Sequence, residues 1–191
     1  MRKDILQYLQ SEVYARCKSP ENVFGIGVYK HIAAVVKNGK LLSDQYGADE
    51  EIVMISAWLH DIASVTDYSL YEKHHIYGAE IAREILEDFS YDESKISLVQ
   101  RCIQNHRGSI NSERSTIEEI CVADADAISH FDNIPSLLYL AYVKRNMDLE
   151  EGVTFVKKKL QRSYSKLSVP SQNIYKEKYE YAMEMLSGEA R

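Results

Sequence analysis

Val, Ile and Leu recur along this chain at three- and four-residue spacing, and little interrupts them: 191 residues contain three prolines and eight glycines. That spacing is the period of an amphipathic helix, on which i, i+3, i+4 and i+7 share one face. No two-residue alternation is sustained, as a half-buried strand would require. Asn38-Gly39 is a hairpin-type dipeptide, but Lys-rich, helix-like sequence precedes it and no strand-like run follows. It reads as a helix end. The pattern predicts an all-α fold.

Helices are expected near 3–17, 22–38, 74–88 and 92–105, the last ending at Asn105-His106-Arg107-Gly108. Another starts near Asp49 and runs through EEIVMISAWLHDIA, with Ile52, Ile55, Trp58, Leu59 and Ile62 as its apolar stripe. SVTDYSLYEK then reads as a loop. Ser115 with Glu118 three residues on is a capping-box signature for a helix through Ala127. Further helices are expected at 134–146, 149–163 and 171–186. There is no repeat, low-complexity tract or linker. The length suits one core and would crowd two, so residues 1–191 are expected to form a single domain.

Charge and cysteine content narrow the function classes. A net charge of −6 and a pI near 5.6 argue against a broad electrostatic grip on DNA or RNA. A small anionic substrate stays open, because a bound metal can reverse the sign locally. Cys17, Cys102 and Cys121 are odd in number and lack CxxC spacing, which disfavours disulfides and a thiolate zinc site. MRKDILQYLQ lacks the apolar run of a signal peptide, and no stretch approaches the roughly 18 apolar residues of a membrane span. The expected compartment is the cytoplasm, with no membrane partner. Tyr outnumbers Phe by 14 to 4, which suits helix faces where a ring is buried and its hydroxyl stays wet. Tyr164, Tyr175, Tyr179 and Tyr181 could cover the core or form a homodimer surface.

The chemistry-bearing residues are a set of His and Asp in a chain with six histidines. His60 and Asp61 adjoin at the expected end of the third helix. Adjacent helical residues diverge by about 100°. At a helix end, however, both can reach an ion lying beyond it, on a base made rigid by the apolar stripe. His31 adjoins the apolar run IAAVV, and CVADADAI offers Asp124 or Asp126. Two imidazoles and two carboxylates suit Mn, Fe, Co, Ni or Mg better than a structural zinc. Coordination positions would stay open for water and substrate.

The order His, His-Asp, Asp resembles the HD superfamily of metal-dependent phosphohydrolases. AWLHDIAS is similar to its central motif, HHIYGAEIAREIL to the helix that follows, CIQNHRGS to a helix ending in His, and VADADAI to its closing motif. The resemblance spans about 23–145 and implies an all-α HD-type bundle on which the helices of 146–187 pack. It implies His31, His60, Asp61 and Asp126 as metal ligands, with Asp124 a supporting or capping group. AISHFD departs from the family, which often has Leu and then Asp after this motif.

Some HD proteins resemble a six-ligand arrangement with two metals. His75 (or His74) and His106 stand at the two extra places, so one or two ions remain open. In a mononuclear site these residues would contact phosphate or transfer protons. Lys73 and Arg107 could neutralise phosphate oxygens. Asp67 could position water or cap a turn. His130 has no motif context and reads as structural. The implied reaction is attack of a metal-activated water on phosphorus, aided by Asp61, His106, Lys73 and Arg107. The implied substrate is a small phosphate ester, a nucleotide being favoured. A di-iron oxygenase and a non-catalytic nucleotide-binding domain are the alternatives.

Overall fold

A computed structural model describes residues 1–107 and 114–188. Among these it has no strand. In chain order the helices are α1 (Lys3–Lys18), α2 (Gly27–Tyr46), α3 (Glu50–Leu59), α4 (Ile62–Thr66), α5 (His74–Asp88), α6 (Glu93–Asn105), α7 (Ile117–Asp132), α8 (Ile134–Tyr139), α9 (Leu149–Ser165) and α10 (Val169–Ser187). A 3₁₀ segment, Tyr68–Lys73, leads into α5, and a π turn, Leu140–Lys144, follows α8.

α3 is the central helix. Ile52, Val53, Ile55, Ala57, Trp58 and Leu59 are all buried, so apolar contact surrounds it rather than following one stripe. It packs against α1, α2, α6 and α7. Burying each large aliphatic side chain stabilises the fold by about 1.5–3 kcal/mol, which makes α3 a firm base for whatever it carries. Asp49 caps it, accepting from the backbone N–H groups of Glu51 and Ile52.

The helix end expected at Asn38-Gly39 is corrected. α2 runs through both residues and stops at Gly47, whose φ of 73° is left-handed. Gly39 is buried, and a Cβ on it would meet Cγ1 of Val53 at 3.0 Å. The glycine lets α2 and α3 approach closely. Asn38 donates to Asp132 on α7 at 2.7 Å. The pair therefore serves packing, which overrides its local preference for a turn. α2 also starts at Gly27 rather than near 22.

Three other boundaries move. The third helix breaks at His60-Asp61, and SVTDYSLYEK is not a plain loop, since α4 and the 3₁₀ segment occupy it. The N-cap lies one residue later and the reciprocal capping box does not form: Thr116 accepts from Glu119 N–H, while the buried Glu119 carboxylate accepts from Ser115 N–H, one residue before the cap. Helix α7 continues past Ala127 to Asp132 because Ile128, Ser129, His130 and Phe131 are all buried. α6 ends at Asn105, and Gly108 lies outside the described residues. In the C-terminal region α9 and α10 pack against α7, and Tyr164 stacks on Tyr179 at 4.3 Å. Cys17, Cys102 and Cys121 are free and buried.

Candidate metal centre

The break after Leu59 aims the His-Asp pair. His60 closes α3 in helical conformation, while Asp61 sits at φ −111°, ψ 13°, outside the helical run. His60 Nδ1 is 2.8 Å from the carbonyl of Ala57, which directs Nε2 towards Asp61 Oδ2 at 3.4 Å. α5 lies against this turn at Gly78, where a Cβ would be in ordinary contact with the His60 carbonyl oxygen at 3.7 Å.

Each converging imidazole is held by the same device. His74 Nδ1 meets the carbonyl of Tyr71 at 2.7 Å, and His106 Nδ1 meets that of Ile103 at 2.6 Å. His31 Nδ1 is 2.8 Å from Ser129 Oγ, whose hydroxyl is itself 2.7 Å from the carbonyl of Asp126. Fixing Nδ1 orients the ring and leaves Nε2 free to ligate.

The Nε2 atoms and carboxylates form two groups whose donor atoms all lie within 4.8 Å of one another: His31, His60 and Asp126, and then Asp61, His74 and His106. In the first, His31 Nε2 is 3.2 Å from Asp126 Oδ1, and Asp61 Oδ2 is 3.9 Å from the same nitrogen. In the second, His74 Nε2 is 3.5 Å from Asp61 Oδ1 and 3.3 Å from His106 Nε2. Asp61 thus turns one oxygen to each group. His60 Nε2 is fully buried with no hydrogen-bond partner among the described residues. An orphaned nitrogen among ligand-type atoms fits a divalent cation, as does the mixed N and O donor set.

Burial alone would drive both carboxylates towards their neutral forms. Surrounding imidazoles hold Asp61 well below the ordinary range, and Lys166 with His130 and His31 does the same for Asp126. Burial and the neighbouring His60 depress His106 to about 3, so it is neutral near pH 7. That is the form in which an imidazole ligates a metal.

Of the two residues left open, His75 or His74, the structure brings His74 to Asp61. The two begin α5 side by side with their rings near perpendicular, and only His74 Nε2 is turned towards Asp61 and His106. His75 is buried beside it, its Nδ1 without a hydrogen-bond partner among the described residues, and burial lowers its pKa. Asp126, not Asp124, meets His31. Asp124 instead accepts from Ser168 N–H at 2.9 Å, tying α7 to the start of α10. Asp67 caps the 3₁₀ segment through Ser69 N–H at 2.8 Å. Lys73, offered as a catalytic cation, is exposed just before His74 and is not among the described residues that line the two lobes of the site. Arg107 does line the cavity, held by the carbonyl of Glu72.

Sequence reasoning missed His130 and Lys166. His130 stacks on His31 at 4.7 Å, with its Nδ1 3.1 Å from Ser163 Oγ and its Nε2 3.9 Å from Asp126 Oδ1. It is four residues from Asp126 on one helix face, a signal hidden by ending the helix at Ala127. Lys166 hydrogen-bonds Asp126 Oδ2 from 40 residues away, and no local pattern announces that contact.

Two lobes open from the centre. One, of about 120 Å³, is mostly apolar and includes Phe24, Val28, Tyr71, Leu137 and Leu140 beside His31 and Asp61. The other, of about 470 Å³, runs past His74, His106 and Asp126 to a cationic wall.

Fold and site define an all-α protein whose interrupted central helix presents a His/Asp centre suited to divalent metal. The HD domain family matches residues 28–130, and the chain belongs to that family. Among its relatives, Ribonuclease Y of Clostridium tetani is 35% identical over 129 residues, which are 67% of this chain and 23% of that protein. Ribonuclease Y of Clostridium kluyveri is 33% identical over 106 residues, 56% of this chain and 19% of the relative. The chain therefore spans about a quarter or less of the length of these relatives. The Lin1889 protein of Listeria innocua superposes with a TM-score of 0.68 at 18% identity, covering 98% of this chain and 94% of that one. Bacillus subtilis YpgQ in complex with ADP gives 0.67 at 18% identity, with the same coverage. At that identity the likeness concerns fold. Among the described residues no helix is long and apolar enough to cross a membrane.

Proposed function

We propose that this protein is a metal-dependent phosphohydrolase that cleaves a small phosphate ester, a nucleotide in preference, by attack of water on phosphorus. The observation that carries the reading is the division of Asp61 between two ligand groups, with every ligating Nε2 pre-aimed. His31, His60, Asp126 and Asp61 Oδ2 would hold one ion; Asp61 Oδ1, His74 and His106 would hold a second. A divalent pair supplies acidified water and Lewis-acid polarisation of a phosphoryl oxygen.

The chain's own groups do the rest. Asp61 fixes the spacing of the two groups. Arg107, anchored at the cavity wall, offsets charge that builds on phosphoryl oxygens. Lys166 holds the outer oxygen of Asp126, leaving Oδ1 turned towards His31 and His60. The apolar lobe next to Asp61, lined by Phe24, Val28, Tyr71, Leu137 and Leu140, suits an apolar or planar organic group such as a base. The neighbour YpgQ was captured with ADP, and the Ribonuclease Y relatives are ribonucleases by name. Both are consistent with phosphate-ester chemistry on nucleotides.

The test is a metal-by-substrate screen. Mn, Mg, Fe, Co and Ni are each combined with nucleoside mono-, di- and triphosphates, a short oligoribonucleotide and an aryl phosphate. His31→Ala, His60→Ala, Asp61→Ala and Asp126→Ala are run alongside. Metal content and hydrolysis should fall together in all four variants. Retention of both by every one of them refutes the reading. Oxygen consumption by the iron-loaded protein, without phosphate release, would replace it with the oxidative alternative.

A further inference from the structure

The larger lobe has a charge composition that the metal centre leaves unexplained. Arg107, Arg145, Lys159, Arg162 and Lys166 all line it, in a chain whose net charge is −6. Among the described residues its only carboxylates are Asp61 and Asp126, both assigned to metal. Arg107 and Lys166 already have work at the centre. Arg145, Lys159 and Arg162 do not.

None of these three forms an ion pair with a carboxylate among the described residues. Arg162 Nε donates to the carbonyl of Lys158 at 3.3 Å, and the Arg145 guanidinium lies 4.8 Å over the Phe155 ring. Lys159 and Arg162 are one turn apart on α9, and Lys166 continues the same stripe at the helix end. Like charges at that spacing are destabilising by themselves. The helix dipole favours cations in the last turn, which accounts for Arg162 and Lys166. It does not account for Lys159, three residues earlier, or for Arg145, which lies outside the helix. All three residues lie beyond residue 130, where the family match ends.

We propose that Arg145, Lys159 and Arg162 form a second phosphate subsite beside the metal centre. The substrate would then carry at least one phosphate besides the one attacked, as a nucleoside di- or triphosphate does. Guanidinium forks and an ammonium suit a chain of phosphate oxygens, and among the described lining residues no carboxylate besides Asp61 and Asp126 competes for those donors. The inference rests on the phosphohydrolase reading for its chemistry but not for its binding test.

That test has two arms. In the first, calorimetry measures binding of inorganic tripolyphosphate and of orthophosphate to the full chain in chelator, where no turnover is needed. Arg145→Gln with Arg162→Gln should weaken tripolyphosphate binding about a hundredfold, tenfold for each guanidinium–phosphate hydrogen bond removed. Both residues are exposed at the cavity mouth, so the double variant should fold; Lys159→Met is a second probe. In the second arm, kcat/KM for a nucleoside triphosphate should fall at least tenfold more than kcat/KM for an aryl phosphate, chiefly through KM. Unchanged tripolyphosphate affinity, or equal losses on both substrates, overturns the subsite. So does an oligoribonucleotide whose KM rises in the double variant while tripolyphosphate binding stays as it was. If the variant loses tripolyphosphate but the wild type hydrolyses nothing, the subsite stands and the hydrolase reading falls.

Discussion

His74 and His75 offer a sharp test of the site, because the two substitutions differ by one position and should act on different properties. His74→Ala removes the nitrogen 3.5 Å from Asp61 Oδ1 and 3.3 Å from His106 Nε2. The second ligand group then keeps His106 and a carboxylate shared with the first. Losing a residue that only supports a ligand typically costs 10–100-fold in metal affinity, so losing a ligand outright should exceed about 100-fold, or roughly 2.7 kcal/mol. Asp61 Oδ2 and its group keep all their members, so one ion should remain. His75→Ala removes a buried ring that supplies no ligand atom to either group and packs edge-on against His74, with centroids 5.8 Å apart. Lost burial is partly offset by removing an unpaired nitrogen, for a net cost of about 1–2 kcal/mol. In a chain of this length that is about 2–8 °C in Tm. The assay is elemental analysis of Mn per chain after gel filtration, with Tm and turnover on the same samples. Expected are one ion and strongly reduced turnover for His74→Ala, and two ions with a lower Tm for His75→Ala. The reverse pattern would refute the assignment of ligands drawn from the geometry.

Three further outcomes follow from other parts of the structure. Ser129→Ala removes the hydroxyl partner of His31 Nδ1 and should weaken metal binding about 10–100-fold without unfolding the chain, measured by chelator competition. Gly39→Leu drives a side chain into Val53 at the contact of α2 with α3 and should cost about 1–3 kcal/mol or more, read as a fall in Tm. Glu51 gives a pH dependence independent of the site. Burial opposes its ionisation, but Tyr91, the Arg2 backbone N–H and Lys95 hydrogen-bond it and lower its pKa to about 2. A depressed carboxylate pKa stabilises the fold above its unfolded value and loses that stabilisation as pH falls from about 4.5 towards 2. Glu51→Gln should therefore cost about 1–2 kcal/mol at pH 7, allowing for solvent screening, and flatten the acid limb of a urea-stability profile.

Metal binding should itself stabilise the chain, since His60 Nε2 is buried without a partner among the described residues. Saturating Mn at about a hundred times its Kd adds about 2.7 kcal/mol, and chelator should lower Tm accordingly.

Much of this is legible in residue order alone. Three- and four-residue apolar spacing determines helices, because each helix must bury one face whatever surrounds it. The His-Asp pair after a run of apolar residues, with His31 before it and a DAD segment after it, marks the centre by residue type and order. What cannot be read locally is direction. Asn38-Gly39 looks like a terminus until Val53 and Asp132 are known to stand against it. His74 and His75 are equivalent in one dimension and point different ways once α5 packs on the His60-Asp61 turn. His130 belongs to the site only because α7 is long enough to carry it. The cationic wall shows the limit most clearly. Arg145, Lys159, Arg162 and Lys166 read as ordinary surface charge in sequence, and only the docking of α9 on α7 and on the π turn that ends at Arg145 brings them to one cavity with Asp126. Helical period and ligand chemistry are properties of neighbouring residues, which the chain alone determines. The convergence of charges from residues 107 to 166 depends on long-range packing, which only the tertiary structure decides.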